Sequence, residues 1–315
     1  MQFEGKQPLG VVYNTSMRRP DSALALAMLY GYQGKREARI GSVSVNGAGL
    51  GAAIFCEIVQ RFYANGRESN ANSVMMPGLA AEGPLPADSE LVRPVVANAK
   101  YVRSIKRVSD TSLPEAVIRN GVIFNAEAVM ILSAKATYLA KSLDLEGVRD
   151  LYKARVRMLV VVDSGEAQDV AAMRKVLAEF PAPIVFCGKE VGDALPFPGA
   201  SMDKDFAWAP AHPVVDAYHA FRTGVYDFPS YDLAAVLHAV HPDKGFFGVS
   251  EPGGIALGDD GRMRFTAGLG KVKALTVDPA QKEKIVQAFV DVASAKIPAP
   301  QQRFRPPVAD AVKKP

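Results

Sequence analysis

The run Val156–Val162, VRMLVVV, constrains this chain more than any other segment. A stretch this short and this apolar, with polar residues on both sides, reads as a strand buried on both faces. Such strands belong to parallel sheets covered by helices. The same style recurs along the chain: Leu9–Tyr13, Arg39–Val45, Ala128–Leu132 and Pro183–Cys187 read as strands, and Asn72–Met76 as a further short one. Between them, Pro20–Tyr30, Leu50–Tyr63, Lys135–Leu143 and Ala167–Phe180 carry helical patterns. Pro20 suits a first helical turn, where its missing N–H would have no partner anyway. Strands alternating with helices predict an α/β fold, with a mainly parallel central sheet flanked by helices in a Rossmann-like three-layer arrangement. Ligands of such sheets bind beyond the carboxyl ends of the strands. That directs attention to Asn14–Ser22, Asn46–Gly51, Ser133–Ala136 and Asp163–Glu166.

The style changes after a helix predicted at Tyr231–Val240. Gly245–Ser250, Gly254–Leu257 and Arg262–Thr266 read as short strands, and Asp259-Asp260-Gly261 between the last two is a hairpin turn. This predicts a small antiparallel region near the C-terminus, closed by a final strand at Ala274–Val277 and a helix at Pro279–Ala295. No repeat or composition break marks a second domain. The expectation is one domain over 1–296 and a Pro/Lys/Arg-rich tail over 297–315. Of 315 residues, 49% are hydrophobic and 22% charged, which excludes disordered and fibrous classes for most of the chain. The net charge of +4 comes from scattered Lys and Arg, so no dedicated nucleic-acid surface is expected. No apolar run approaches the ~20 residues that span a bilayer, and the first ten residues lack a signal peptide's apolar core. The sequence therefore reads as cytoplasmic, the alternative being an exported protein whose signal has been removed. Cys56 and Cys187 each follow an apolar run and read as buried free thiols.

Four segments, in order, carry a resemblance: VVYNTSMRRPDSALALAML, SVSVNGAG, LSAKATYLAKSLDL with the following MLVVVDSG, and YDLAAVLHAVHPDKGFF. Together they resemble the inosine–uridine-preferring nucleoside hydrolase family over nearly the whole chain. The family's first acidic loop is usually DTDxxxDDxxAL. The resemblance implies hydrolysis of an N-glycosidic bond of a ribonucleoside, with Ca²⁺ holding a water and the ribose hydroxyls. It also implies a homo-oligomer with a small-molecule partner. Asn14 and Ser16 stand where the first two acidic residues of the loop would be, and Asp21 and Ser22 fall on its Asp-Asp pair. Asp232 matches a late metal-binding aspartate, Tyr231 a frequent leaving-group histidine, and Ser133 a residue that completes the metal shell through its carbonyl.

These departures predict that calcium is not retained, since a hard divalent ion needs several oxygen ligands. Arg18 or Arg19 has the charge to take its place, although a solvated or structural arginine is the plainer expectation. If the chain is an enzyme, Asp21 and Asp232 are the candidate catalytic carboxylates. Asn14, Ser16, Arg18, Ser22, Asn46, Asp163 and Tyr231 are the candidate substrate-binding residues, and Asp232 and Ser133 would be the remnants of a metal site. The competing reading is a non-catalytic carbohydrate- or nucleoside-binding protein on the same fold. A third is an NAD(P)-dependent oxidoreductase, because Gly47-Ala48-Gly49-Leu50-Gly51-Ala52 fits the dinucleotide fingerprint. His238 and His241 have a chelating spacing but read as surface or capping residues. Asp203–Trp208 reads equally as a base-stacking rim or as a surface loop anchored by its aromatics.

Overall fold

The structure, a computed structural model, describes residues 7–64, 75–80 and 84–296. Seven strands form the central sheet: β1 (Leu9–Thr15), β2 (Ala38–Val45), β3 (Ala128–Ser133), β4 (Val156–Val162), β5 (Ile184–Cys187), β6 (Gly248–Val249) and β9 (Lys273–Thr276). Their order is β2-β1-β3-β4-β5-β9-β6. Every pairing is parallel except that of β6 with β9. The strands β7 (Gly253–Leu257) and β8 (Met263–Ala267) form a separate antiparallel hairpin, turning at the expected Asp259–Gly261.

Alternation along β1 sorts the core. Val11 and Tyr13 face one helical layer with Val129, Ile131 and Val160, while Val12 faces the other with Met130, Leu132 and Val161. The first layer is built around the Pro20–Gly34 helix, which is buried nearly all round. It packs against the Tyr231–Val240 and Lys282–Ala293 helices. A Cβ built on Gly31 would lie 2.0 Å from the Val292 carbonyl oxygen, so the first and last of these helices touch backbone to backbone.

The strand order reverses direction between β1 and β3. The chain leaves β1 toward β2 on one side, then returns to place β3 on the other. At such a switch point the two connections diverge and leave a crevice beyond the carboxyl ends.

Several expectations change. Gly245–Ser250 shortens to β6, and the final helix is preceded by a 3-10 turn at Pro279–Gln281. Asn72–Met76 falls mostly outside the described residues; Met75 and Met76 are not strand, and bridging to β2 occurs instead at Gly78. Helices at Pro114–Ile123, Val148–Arg155 and Pro213–Phe221 were not anticipated. The tail lies outside the described residues. No described helix is long and apolar enough to cross a membrane. Both cysteines are buried and free.

Candidate functional site

Beyond the carboxyl ends of β1 and β3, three carboxylates from separate parts of the chain converge on one guanidinium. Arg19 precedes the helix-opening Pro20, and its backbone is extended, as a residue before proline prefers. Its Nε donates to Asp21 Oδ1 at 3.1 Å, Nη1 to Glu166 Oε1 at 2.7 Å, and Nη2 to Asp232 Oδ1 at 3.1 Å. Nη2 also lies 3.4 Å from the hydroxyls of Ser22 and Ser133. The Arg19 side chain is 17% exposed, those of Asp21 and Asp232 2% and 0%, and that of Glu166 40%.

The remaining oxygens of the two aspartates are also engaged. Asp21 Oδ2 accepts the Asp232 backbone N–H at 3.0 Å. Asp232 Oδ2 accepts the Tyr13 hydroxyl at 2.5 Å, and Oδ1 accepts a short bond from the Ser133 hydroxyl. Tyr13 can reach Asp232 because its side of β1 faces the layer containing the Tyr231–Val240 helix. Burial raises the Asp21 carboxyl to about 6, against the lowering effect of Arg19 and with a further raising contribution from Asp232. The three carboxylates hold Arg19 charged in spite of its burial. Burial, reinforced by the Asp232 charge, holds the Tyr13 phenol neutral.

Tyr231 connects this cluster to a cleft. The Arg19 guanidinium carbon lies 5.6 Å from the centre of its ring and the Lys189 ammonium 5.9 Å, while its hydroxyl donates to Asp193 at 2.6 Å. The cleft, of about 420 Å³, opens between the ends of β4 and β5 and the β7–β8 hairpin. The hairpin presents Ile255, Leu257 and Phe265 to the core and Ala256, Gly258, Asp260, Arg262 and Arg264 to the cleft, with the buried Met263 also reaching the cleft wall. Asp163 and Lys189 line the opposite wall.

The structure thus brings together Asp21, Ser22, Ser133, Tyr231 and Asp232, and places Asp163 on the neighbouring cleft. Asn14 is buried in β1, its amide held between the Ser44 hydroxyl and the Ile131 carbonyl at 3.3 Å, away from the cluster. Ser16 is buried, and its hydroxyl has no hydrogen-bond partner among the described residues. Asn46 donates to the Lys135 carbonyl at 2.9 Å. Arg18 points elsewhere than Arg19, donating to the Gly47 carbonyl at 3.0 Å. Of the cluster, sequence reasoning did not name Tyr13; it named Arg19 only as an alternative to Arg18, and Glu166 only by its place after β4.

The other constellations are structural. The turn Gly47–Gly51 is filled by the protein itself: Asp88 accepts the Gly51 N–H at 2.7 Å, and a Cβ on Gly49 or Gly51 would strike that carboxylate. A dinucleotide phosphate would need this space. His238 is buried rather than at the surface, against Phe247, and His241 sits at the end of its helix against Glu37. The Asp203–Trp208 segment is anchored: Phe206 is buried and Trp208 donates to the Ser294 carbonyl at 2.9 Å.

A calcium ion does not fit this site as it stands. Calcium takes about 6–8 oxygens, whereas every carboxylate oxygen of Asp21 and Asp232 already accepts a hydrogen bond. The point where they converge holds a guanidinium. No group of three or more His, Cys, Asp or Glu is arranged to hold a metal among the described residues.

No protein-family model matches the sequence, and no curated protein matches it. Solved structures do. An inosine–guanosine nucleoside hydrolase aligns with a TM-score of 0.67 at 16% identity, covering 91% of this chain and 99% of its own. A plant nucleoside hydrolase, PpNRh1, gives 0.67 at 16%, covering 92% and 100%. The inosine–uridine preferring nucleoside hydrolase of Bacillus anthracis gives 0.64 at 13%, covering 91% and 99%. The chain has the nucleoside-hydrolase fold. The narrower inosine–uridine-preferring assignment rests on the sequence resemblance alone.

Proposed function

We propose that the protein recognises a nucleoside or a related ribosyl conjugate in the cleft between the ends of β4 and β5 and the β7–β8 hairpin, without hydrolysing it through Asp21 or Asp232. The carrying observation is that both aspartates are buried with every oxygen engaged. Neither is free to accept a proton from an attacking water, and general-base catalysis needs a group within hydrogen-bond reach of that proton. The cleft falls within the roughly 300–1,000 Å³ of ordinary ligand pockets. Its Asp163 carboxylate can accept from sugar hydroxyls, and Lys189 and Arg262 can donate to ring or carbonyl acceptors of a base. The named neighbours of this fold act on nucleosides, which supports that ligand class.

A second reading, metal-free hydrolysis, is favoured by one observation: an Asp21 carboxyl near 6 lies in the range useful for proton transfer. Calorimetric titration with a panel of purine and pyrimidine nucleosides, paired with an assay for released sugar, separates the two. Saturable binding without release is expected, weakened roughly tenfold or more by Asp163→Ala through loss of a charged hydrogen bond. Release that survives chelators and disappears in Asp21→Asn would install the second reading. Neither binding nor release would sink both.

A further inference from the structure

We infer that the cleft beside the β7–β8 hairpin takes its ribosyl ligand in phosphorylated form, with the phosphoryl group held by Arg262, Arg264 and Lys189. This rests on the reading of that cleft as the ligand site and names the chemical class of what enters it.

The hairpin sets the two arginines side by side. They stand two residues apart at the start of β8, on the face turned away from Ile255, Leu257 and Phe265. The residues across from them are small: Ala256 pairs with Arg264, and Gly258 donates its N–H to the Arg262 carbonyl at 2.9 Å. Neither neighbour fills the space above the hairpin or brings a counter-charge. Among the described residues no carboxylate pairs with either guanidinium, and that of Arg262 donates to the Gly165 carbonyl at 3.1 Å instead.

Lys189 reaches the same place from the other wall. Gly165, in the turn after β4, has a φ of 80°, and a Cβ built on it would lie 3.6 Å from Lys189 Cδ and Cε and 3.9 Å from Arg262 Nη1. The stem of Lys189 and the guanidinium of Arg262, from opposite sides of the cleft, thus meet over one bare glycine. Like charges repel, so cations gathered in one cleft favour an anion between them. The carboxylates that line the cleft are tied to their own turns. Asp163 Oδ1 accepts the Gly165 N–H at 2.8 Å, and Asp260 Oδ1 accepts the Arg262 N–H at 3.0 Å. Lys189 is paired with Asp193, outside this group.

The donor count selects the anion. One guanidinium fork satisfies both oxygens of a carboxylate. Two forks and an ammonium match the three acceptor oxygens and larger charge of a phosphoryl group. A charged acceptor takes the stronger bond, so Lys189 and Arg262 serve the phosphoryl group ahead of a base. Asp163 keeps the sugar hydroxyls.

Calorimetric titration of the full chain with adenosine, uridine, their 5′-monophosphates, ribose 5-phosphate and inorganic phosphate tests this. Each monophosphate should bind roughly tenfold tighter than its nucleoside, or more, as charged hydrogen bonds predict. Arg264→Ala and Arg262→Ala should each erase most of that preference. Arg264→Lys should keep part of it, since the charge stays while the fork is lost. Both arginines are exposed, so these variants leave the core intact.

Nucleosides that bind as tightly as their monophosphates would overturn the inference and leave the ribosyl-ligand reading standing. A preference that survives in both alanine variants would overturn it too, by placing the phosphate elsewhere. Inorganic phosphate binding as tightly as the monophosphates would also overturn it, leaving an adventitious ion only. Ribose 5-phosphate that matches the monophosphates would uphold it and show that the base adds nothing. If none of these probes binds, the reading of the cleft falls, and the inference with it.

Discussion

Within the carboxylate cluster, burial sets the energetic weight of each residue. Asp232 is fully buried and satisfies Arg19, Tyr13 and Ser133 together. Asp232→Ala takes away one of the three carboxylates on Arg19 and the buried acceptor of the Ser133 hydroxyl, and leaves the Tyr13 hydroxyl only the Ser22 carbonyl at 3.2 Å. Breaking a buried charged pair from one side typically costs about 3–5 kcal/mol. Glu166 makes the shorter contact to Arg19, 2.7 Å against 3.1 Å for Asp232, but its side chain is 40% exposed and water can replace it. Glu166→Ala should therefore cost no more than about 1 kcal/mol. Urea denaturation of the two variants checks the contrast, and equal losses would show that the cluster is wetter than its geometry implies. Asp21, Ser133 and Asp232 were legible in the sequence because they stand at positions of the family motifs the chain resembles. The choice between Arg18 and Arg19 was not. Adjacent residues in a loop point in different directions, and only the Pro20 constraint and the distant Asp232 and Glu166 decide which one turns inward.

The strands were legible because burial on both faces removes the need for polar residues, and β4 keeps the predicted bounds of Val156–Val162. Helices covering the outer faces were harder. Val148–Arg155 is short and mostly polar, and Pro114–Ile123 announces itself only by the proline at its first turn. Close helix packing was also hidden, since nothing in the sequence reveals what Gly31 touches. Gly31→Ala forces a methyl group against the Val292 carbonyl oxygen. Backbone cannot rotate away as a side chain can, so a loss of about 1–3 kcal/mol follows, as for other overpacked positions. A lowered melting temperature with unchanged circular dichroism is the expected reading. Asp88 offers a complementary prediction for the glycine turn. Asp88→Ala removes the acceptor for the Gly51 N–H at the start of the Leu50–Tyr63 helix. The cost should resemble loss of a helix cap, about 0.5–2 kcal/mol, and fluorescence titration of the wild type with NADH should show no nicotinamide nucleotide binding.

Acid stability tests the molecule as a whole, because groups in distant places titrate against one another. His212 is buried where its Nδ1 accepts the Val214 N–H at 3.2 Å and its Nε2 lies 2.9 Å from the Tyr63 hydroxyl, so it serves as a neutral helix cap. Burial lowers its pKa to about 3, and burial likewise lowers that of His238 to about 4. In the unfolded chain both titrate near 6.5. As pH falls from about 6.5 toward 4, the unfolded chain takes up two protons that the native state refuses. Stability therefore drops, with a limiting slope of about 1.4 kcal/mol per pH unit for each proton. Asp21 acts in the opposite sense. Its native carboxyl, raised by burial to about 6, takes a proton that the unfolded chain does not accept until near 3.8, so it adds stability as pH falls across that interval. Among these three groups, one of the two histidine contributions is offset between about pH 6 and 4, leaving a loss near one proton's worth, to which His241, also lowered by burial, adds in the same direction. Asp21→Asn removes the offset and should steepen the fall toward two protons' worth, whereas His238→Gln should flatten it. Denaturant midpoints measured from pH 7 down to 4 read these slopes directly. If Asp21→Asn keeps the wild-type slope, the cluster's carboxyl does not titrate in this range, and the electrostatic account of Arg19 and its aspartates loses its main solution signature.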